Sequence, residues 1–348
     1  MTEHLACALA LITIFAMPLP AVAVDDHNLL EQAQQIFAPL PSTMATEEFP
    51  TPDDRVQLGR MLFFDPRLTI DGNVSCATCH QPAFYGTDAL PRSIGIRQRP
   101  HPRHAPTVLN AGTQFVIHWR GDRVNLEDQA FQAQTSPITG GHSDHQGIVD
   151  RVEQIQGYQP LFEKAFPKDP RLITAENIAK AIGAFERTLI TPAAFDKYLA
   201  GDVNALSPAA RTGLAKFIDA GCIACHDGVG VGGGKYAKFG VVEDYWHATG
   251  SRPIDKGRFD VTNNPDDLYV FRVASLRNIA MIGPYFHDGS VAKLGDAAKI
   301  MGRVQLGIQL TNTDTNEIVA FLESLTGEVP ASFAHVPTLP PGSVISAH

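Results

Sequence analysis

The sequence predicts a mainly α-helical protein built as two similar units, and three observations carry that prediction. The pattern Cys-x-x-Cys-His occurs twice, as "CATCH" from Cys76 and as "CIACH" from Cys222. An apolar pattern of helical period precedes each copy, and another lies long after the second. Strand patterns are scarce and brief. A length of 348 residues suits about two domains, and 44% hydrophobic with 19% charged residues is ordinary for a globular chain with a real core.

The elements follow in order. Residues 5–17, "LACALALITIFAM", form an apolar run too short to span a bilayer, and "AVA" at Ala21–Ala23 fits a signal-peptidase site. The leading "MTEH" carries no Lys or Arg. Residues 1–23 are therefore expected to be a secretory signal peptide, with export to the periplasm and no membrane span in the mature protein. "TPDDRVQLGRMLFFDP" reads as a helix with Thr51 as N-cap, Pro52 at the first helical position and acids in the first turn. Its apolar positions are Val56, Met61, Leu62 and Phe63. "SPAARTGLAKFIDAGC" repeats the device with Ser207 and Pro208 and runs straight into Cys222. "GVGVGGGKY" is a loop; it lacks the strand before and the helix after that a phosphate loop needs. "TNEIVAFLESLTG" places Ile318, Val319, Phe321, Leu322 and Leu325 on a helical period, with Gly327 as a stop signal.

The cysteines narrow the chemistry. There are five, and Cys7 leaves with the signal peptide. Cys76, Cys79, Cys222 and Cys225 remain, each pair followed by a histidine, His80 or His226. That pattern is the attachment signature of c-type heme, in which two thiols add to the vinyl groups and the histidine ligates iron. Redox dithiols or a four-Cys zinc site would not explain a histidine directly after each second cysteine. The fold class is then mainly α, two cytochrome c-like domains, each with one covalent heme. The expected division is 24–197 for the first domain, 198–330 for the second and 331–348 for a tail, with "TPAAFDKYLAGDVNALSP" as the joint. The net charge of −9 argues against a nucleic-acid partner.

His226 supplies one axial ligand of the second heme. Between it and the final helix stand two methionines, Met281 and Met301, and two histidines, His247 and His287. Met301 ends a short predicted helix in apolar surroundings; from spacing alone it is either a ligand or a core residue. A thioether favours Fe(II) and would raise the reduction potential.

The chain resembles the bacterial di-heme cytochrome c peroxidases and their MauG-type relatives. The resemblance rests on "LGRMLFFDPRLTIDGNVSCATCHQPAFYGTD", "APTVLNAGTQF", "HWRGDRVNLEDQA", "CIACH", "VFRVASLRNIAMIGPYFHDGS" and "MGRVQLGIQL", in the family's order across residues 56–327. It implies a peroxidatic heme on His80, an electron-transfer heme on His226 with Met301 as second ligand, and Trp119 between the two as a relay. It also implies that Gln129 and Pro137 line the peroxide pocket.

Three positions depart from the family. "SIGI" stands where the peroxidases have Ser-Ile-Gly-His, so Ile96 replaces the histidine that closes the peroxidatic heme and leaves that face open unless His101 or His104 substitutes. His104 replaces an asparagine that helps hold calcium; Ile282 and Pro284 retain carbonyls, but the calcium is thrown into question. The pocket's glutamate is missing from "SPITGGHSDH", where Ser143 is the nearest aligned position and His142, Asp144 and His145 are the alternative proton carriers.

The resemblance thus implies a periplasmic oxidoreductase that reacts with hydrogen peroxide at the His80 heme. A small periplasmic electron donor would refill it, as in a peroxidase. Alternatively, a MauG-like or MbnH-like oxidase would draw electrons from an aromatic side chain of a partner protein, a reading that the open face favours. Met rather than Tyr at 301 resembles the peroxidases and the MbnH-like group more than MauG. A plain di-heme electron carrier would need two six-coordinate irons and no pocket, and Ile96 argues against it.

Overall fold

Two hydrophobic cores organise the chain, each built where one helix of a pair lets its partner's backbone approach. The structure, a computed structural model, describes residues 26–344, so the expected signal peptide at 1–23 lies outside the described residues. In the first core the helix Asp53–Phe64 crosses Ala175–Glu186 at Gly59, where a Cβ would stand 1.8 Å from the Ala181 carbonyl oxygen. In the second, Pro208–Asp219 crosses Asn312–Glu323 at Gly213, where a Cβ would stand 1.8 Å from the Glu317 carbonyl oxygen. Each crossing sits on the helix that leads toward a Cys-x-x-Cys-His motif. The glycine lets that helix seat deeply and so fixes where the motif emerges. Gly213→Ala is expected to cost about 3 kcal/mol, the upper end for overpacking, because backbone cannot swing aside. Thermal denaturation of the purified protein checks this; an unshifted midpoint would mean the helices separate freely.

Capping explains the helix boundaries. Ser207 Oγ accepts from the Ala210 N–H at 3.1 Å with Pro208 behind it, as the sequence predicts. The helix Asp53–Phe64 begins one residue later than expected. Pro52, extended at φ −65° and ψ 145°, is the cap residue, and its carbonyl accepts from Arg55 and Val56. Thr51 therefore plays no capping role, while Asp53 and Asp54 favour the positive helix end. The helix Asn312–Glu323 starts there because Thr311 and Asp314 cap it reciprocally. Gly327 does not stop that helix, which ends at Glu323; it lies against the joint, where a Cβ would stand 2.2 Å from the Thr191 carbonyl oxygen.

The cores do not follow chain order strictly. Leu29 and Ala33, on the helix Asp26–Ile36, pack in the second core with Phe195, Phe217 and Phe321. Phe333, from the segment after residue 330, is fully buried in the first. Its ring meets Phe63 edge-on at 5.9 Å, and Phe63 meets Phe185 at 5.5 Å, contacts worth about 0.5–1.5 kcal/mol each beyond burial. Thr191 ties the halves together. Its Oγ1 accepts from Asn110 Nδ2 at 2.7 Å and from Asn278 Nδ2 at 2.9 Å, all three residues being buried. One antiparallel pair, Tyr236–Lys238 with Val270–Arg272, makes up the described sheet.

Candidate heme sites and the residues between them

The first motif is held by a one-turn helix, Cys76–Cys79, capped by Ser75 with Thr78. Tyr85 and Gly86, both at positive φ, turn the chain back. The Gly86 carbonyl thereby lies 3.0 Å from His80 Nδ1. Nδ1 must donate there, so Nε2 keeps its lone pair for a metal. Burial pushes the His80 imidazolium down to about 4, so the ring is neutral at pH 7, the form that ligates. Cys76 and Cys79 are free thiols, pushed up by burial to about 12 and about 11.

Three buried polar atoms near these groups lack partners: Ser93 Oγ, His101 Nε2 and Glu186 Oε2. Ser93 lies beside Cys79, and His101 lies close enough to His80 to depress its pKa. Glu186 is within electrostatic reach of Cys76, and burial pushes its carboxyl up to about 8. Sequence reasoning missed Glu186, since a glutamate late in a helix reads as a surface residue. Orphaned atoms around a free imidazole nitrogen and two free thiols suit a bound polar-edged group.

Ile96 is 1% exposed. Its N–H donates to the Ile138 carbonyl at 2.9 Å, and its Cδ1 packs onto Gly141, 2.2 Å from where a Cβ would be. It offers iron no ligand and pins its loop to the turn beyond the helix Leu126–Thr135. The structure separates the two histidines left open by the sequence. His104 Nδ1 donates to the Leu90 carbonyl at 2.7 Å, and the residue lines the cavity beside the second motif. His101 keeps its buried, unpartnered Nε2 beside the first motif.

The other residues expected around peroxide are placed as follows. Gln129 is half-buried on Leu126–Thr135, and Pro137 and Ser143 are exposed. His142 is buried and tethers its loop, Nε2 donating to the Leu68 carbonyl at 2.8 Å. His145 stacks on Phe131 at 3.8 Å, and Asp144 accepts from the Gln146 and Gly147 N–H groups. His142 and His145 fasten the loop to neighbouring segments, and Asp144 caps the turn within it.

The second motif opens on a cavity of about 380 Å³ lined by Cys222, Cys225, His226 and Met301 together. Gly221, at φ 84°, ends the preceding helix and aims the motif. Met301 ends the helix Leu294–Met301, and the chain continues as a π-turn, Gly302–Leu306, a form frequent at functional sites. Burial pushes His226 down to about 4, again the neutral form. Its Nδ1 rests against Gly232, where a Cβ would stand 2.9 Å away. Phe217, Ile279, Leu294 and Ile318 supply apolar wall.

Arg272 also lines this cavity, 3% exposed, and the partners given for its guanidinium are the backbone carbonyls of His118 and Val273 rather than a carboxylate. Its Nε donates to the His118 carbonyl, and desolvation pushes the guanidinium down to about 10. A buried cation without a counter-ion suits a group carrying carboxylates, as heme does through its propionates. Two thiols, an imidazole, a thioether and a lone guanidinium around one apolar space fit a His/Met heme c.

Trp119 belongs to the wall of the second site. It lines the second cavity, and its Nε1 donates to the His104 carbonyl at 2.8 Å. Ile282 and Pro284 line the same cavity. Among the described residues no group of three or more His, Cys, Asp or Glu side chains could hold a metal ion. No described helix is long and apolar enough to cross a membrane.

Residues 53–204 match the di-haem cytochrome c peroxidase family. The cytochrome c551 peroxidase of Pseudomonas aeruginosa is 41% identical over 326 residues, 92% of each chain. The chain belongs to the di-haem cytochrome c peroxidase family. The methylamine utilization protein MauG of Methylorubrum extorquens is 34% identical, covering 84% of this chain and 83% of its own. A crystal structure of a MauG-like protein associated with microbial copper homeostasis superposes with a TM-score of 0.73 at 30% identity. It covers 84% of this chain and 96% of that one.

Proposed function

We propose that this family member is a periplasmic, signal-exported di-heme peroxidase that reduces hydrogen peroxide at the His80 site. Electrons would enter from a small periplasmic donor at the His226/Met301 site and pass by Trp119. Each site would hold one covalent heme c, in cytochrome c-like units whose cores exchange their ends: Asp26–Ile36, expected in the first domain, packs in the second core, and Phe333, expected in a tail, packs in the first. Bound heme would supply the redox-active iron. The chain's own residues do the rest. His80, held by Gly86, keeps Nε2 aimed at one face. His226 and Met301 share one apolar cavity, where exclusion of water and a soft ligand favour the reduced state. Trp119, anchored on His104, touches that cavity and is positioned to relay. The observation that carries the reading is the meeting of Cys222, Cys225, His226, Met301 and Trp119 around one space.

A second reading, oxidation of an aromatic side chain on a partner protein, is favoured by Ile96. An iron with no closing histidine needs no prior reduction to meet peroxide.

The test is peroxide consumption by the purified di-heme protein, with and without a small reduced donor. Donor-dependent consumption is expected. A protein that consumes none, whether oxidised or pre-reduced, would overturn the peroxidase reading. Consumption that a donor leaves unchanged would favour the second.

A further inference from the structure

We propose that Tyr245, Trp246 and Tyr269 form an exit by which oxidising equivalents leave Trp119 for the protein surface, with Trp246 as the terminal site. The inference deepens the peroxidase reading and rests on it, since peroxide is the oxidant.

The chain has two tryptophans and seven tyrosines. Trp and Tyr are the side chains a strong oxidant removes electrons from most readily, so their placement matters more than that of Phe. Both tryptophans belong to one network of touching rings. Trp119 meets the buried His287 at 6.4 Å between ring centres, and His287 meets Tyr245 at 5.3 Å. A second approach comes from the cavity itself. Phe239 lines it and stacks on Tyr245 at 4.6 Å and 10°. Tyr245 is thus one ring away from both Trp119 and the heme cavity. Beyond it, Trp246 lies at 5.2 Å and Tyr269 at 6.3 Å, with 4.8 Å between those two. Tyr245 is fully buried, whereas Trp246 and Tyr269 are half-buried and reach the surface.

Proton bookkeeping says where the hole stops. Tyr245 Oη donates to the Asp255 carbonyl at 3.0 Å and accepts from the Asp255 N–H at 3.0 Å. A peptide carbonyl is too weak a base to take the phenol proton, and burial already holds that proton more tightly than usual. An oxidised Tyr245 cannot settle as a neutral radical, so the hole moves on. Trp246, reaching solvent, can lose its indole proton to water. Tyr236 offers a poorer route. The Arg258 guanidinium lies over its ring at 4.1 Å, and a fixed positive charge there opposes a second.

With no donor present, the step balances as follows. Trp246 gives up two electrons and two protons and takes one oxygen from water, becoming a hydroxylated indole. Peroxide accepts two electrons and two protons and becomes two waters. With a donor present, the donor supplies the electrons and Trp246 returns to its starting state.

The experiment adds peroxide to the oxidised di-heme protein without donor. It follows peroxide loss, the radical signal by electron paramagnetic resonance, and peptide masses. One added oxygen is expected on Trp246, suppressed when reduced donor is present. Trp246→Phe keeps the ring contact and is expected to move the added oxygen to Tyr269. Double replacement of Trp246 and Tyr269 by Phe is expected to confine damage to Trp119 and Met301. Peroxide consumed while Trp246 and Tyr269 stay unmodified and the radical signal is the same in Trp246→Phe would overturn the exit and leave the peroxidase reading standing. Peroxide left unconsumed would overturn both.

Discussion

Replacing Met301 by His is expected to lower the reduction potential of the second heme by on the order of 0.2 V, a fraction of the ~0.8 V that axial ligands span. The position makes the exchange informative. Met301 closes the helix Leu294–Met301 and lines the cavity that also holds His226, Cys222 and Cys225. Its thioether is a soft donor that stabilises Fe(II); imidazole is harder and stabilises Fe(III). Donor-driven turnover is expected to fall with the potential, because a donor poised for the native heme can no longer reduce it. Spectroelectrochemical titration measures the shift directly. A potential that does not move would return Met301 to packing, with the second ligand elsewhere in the cavity.

What the sequence made legible, and what it hid, divides along a physical line. Local signals read well. Ser207 and Pro208 start a helix because a side-chain oxygen and a fixed φ act within one turn. The two Cys-x-x-Cys-His motifs announce chemistry because covalent attachment needs those residues consecutively. Contacts between distant segments left no such mark. Gly59 and Gly213 look like weak points in helices until the facing backbone is in place. Thr191 looks like a linker residue, yet it is the shared acceptor for Asn110 and Asn278. Asp26–Ile36 precedes the first motif in sequence but packs beside the second, because its apolar face matches Phe195 and Leu214 and nothing local dictates otherwise. Arg272 lies within a segment that carries the family resemblance, but only its buried position without a carboxylate partner shows why a cation stands there. The pocket residues gained least. His142 and His145 proved to have partners within their own fold region, which no spacing argument could reveal.

The largest change in behaviour is expected from Ile96→His. In the native chain Ile96 is buried against Gly141, and its N–H is bound to the Ile138 carbonyl, so this loop is fastened and presents no lone pair to the first heme. The oxidised protein is therefore expected to show a high-spin first heme and to react with peroxide on mixing, with no electron donor added beforehand. A histidine at this position loses the apolar fit on Gly141 and gains an imidazole able to bind iron. That trade releases the loop toward the heme. The variant is expected to be low spin when oxidised and to react at least about tenfold more slowly until the second heme is reduced, a barrier increase of roughly 1.4 kcal/mol or more. Low-temperature spin-state spectra and stopped-flow mixing measure the two halves of this statement. His101 supplies the control, since its Nε2 is the free buried imidazole nitrogen beside the first motif. Were the native oxidised protein low spin and inert, His101→Ala should restore a high-spin signal and prompt reaction, and Ile96 would lose its role. Were His101→Ala to change nothing in an already high-spin protein, the face opposite His80 is open because position 96 holds an isoleucine.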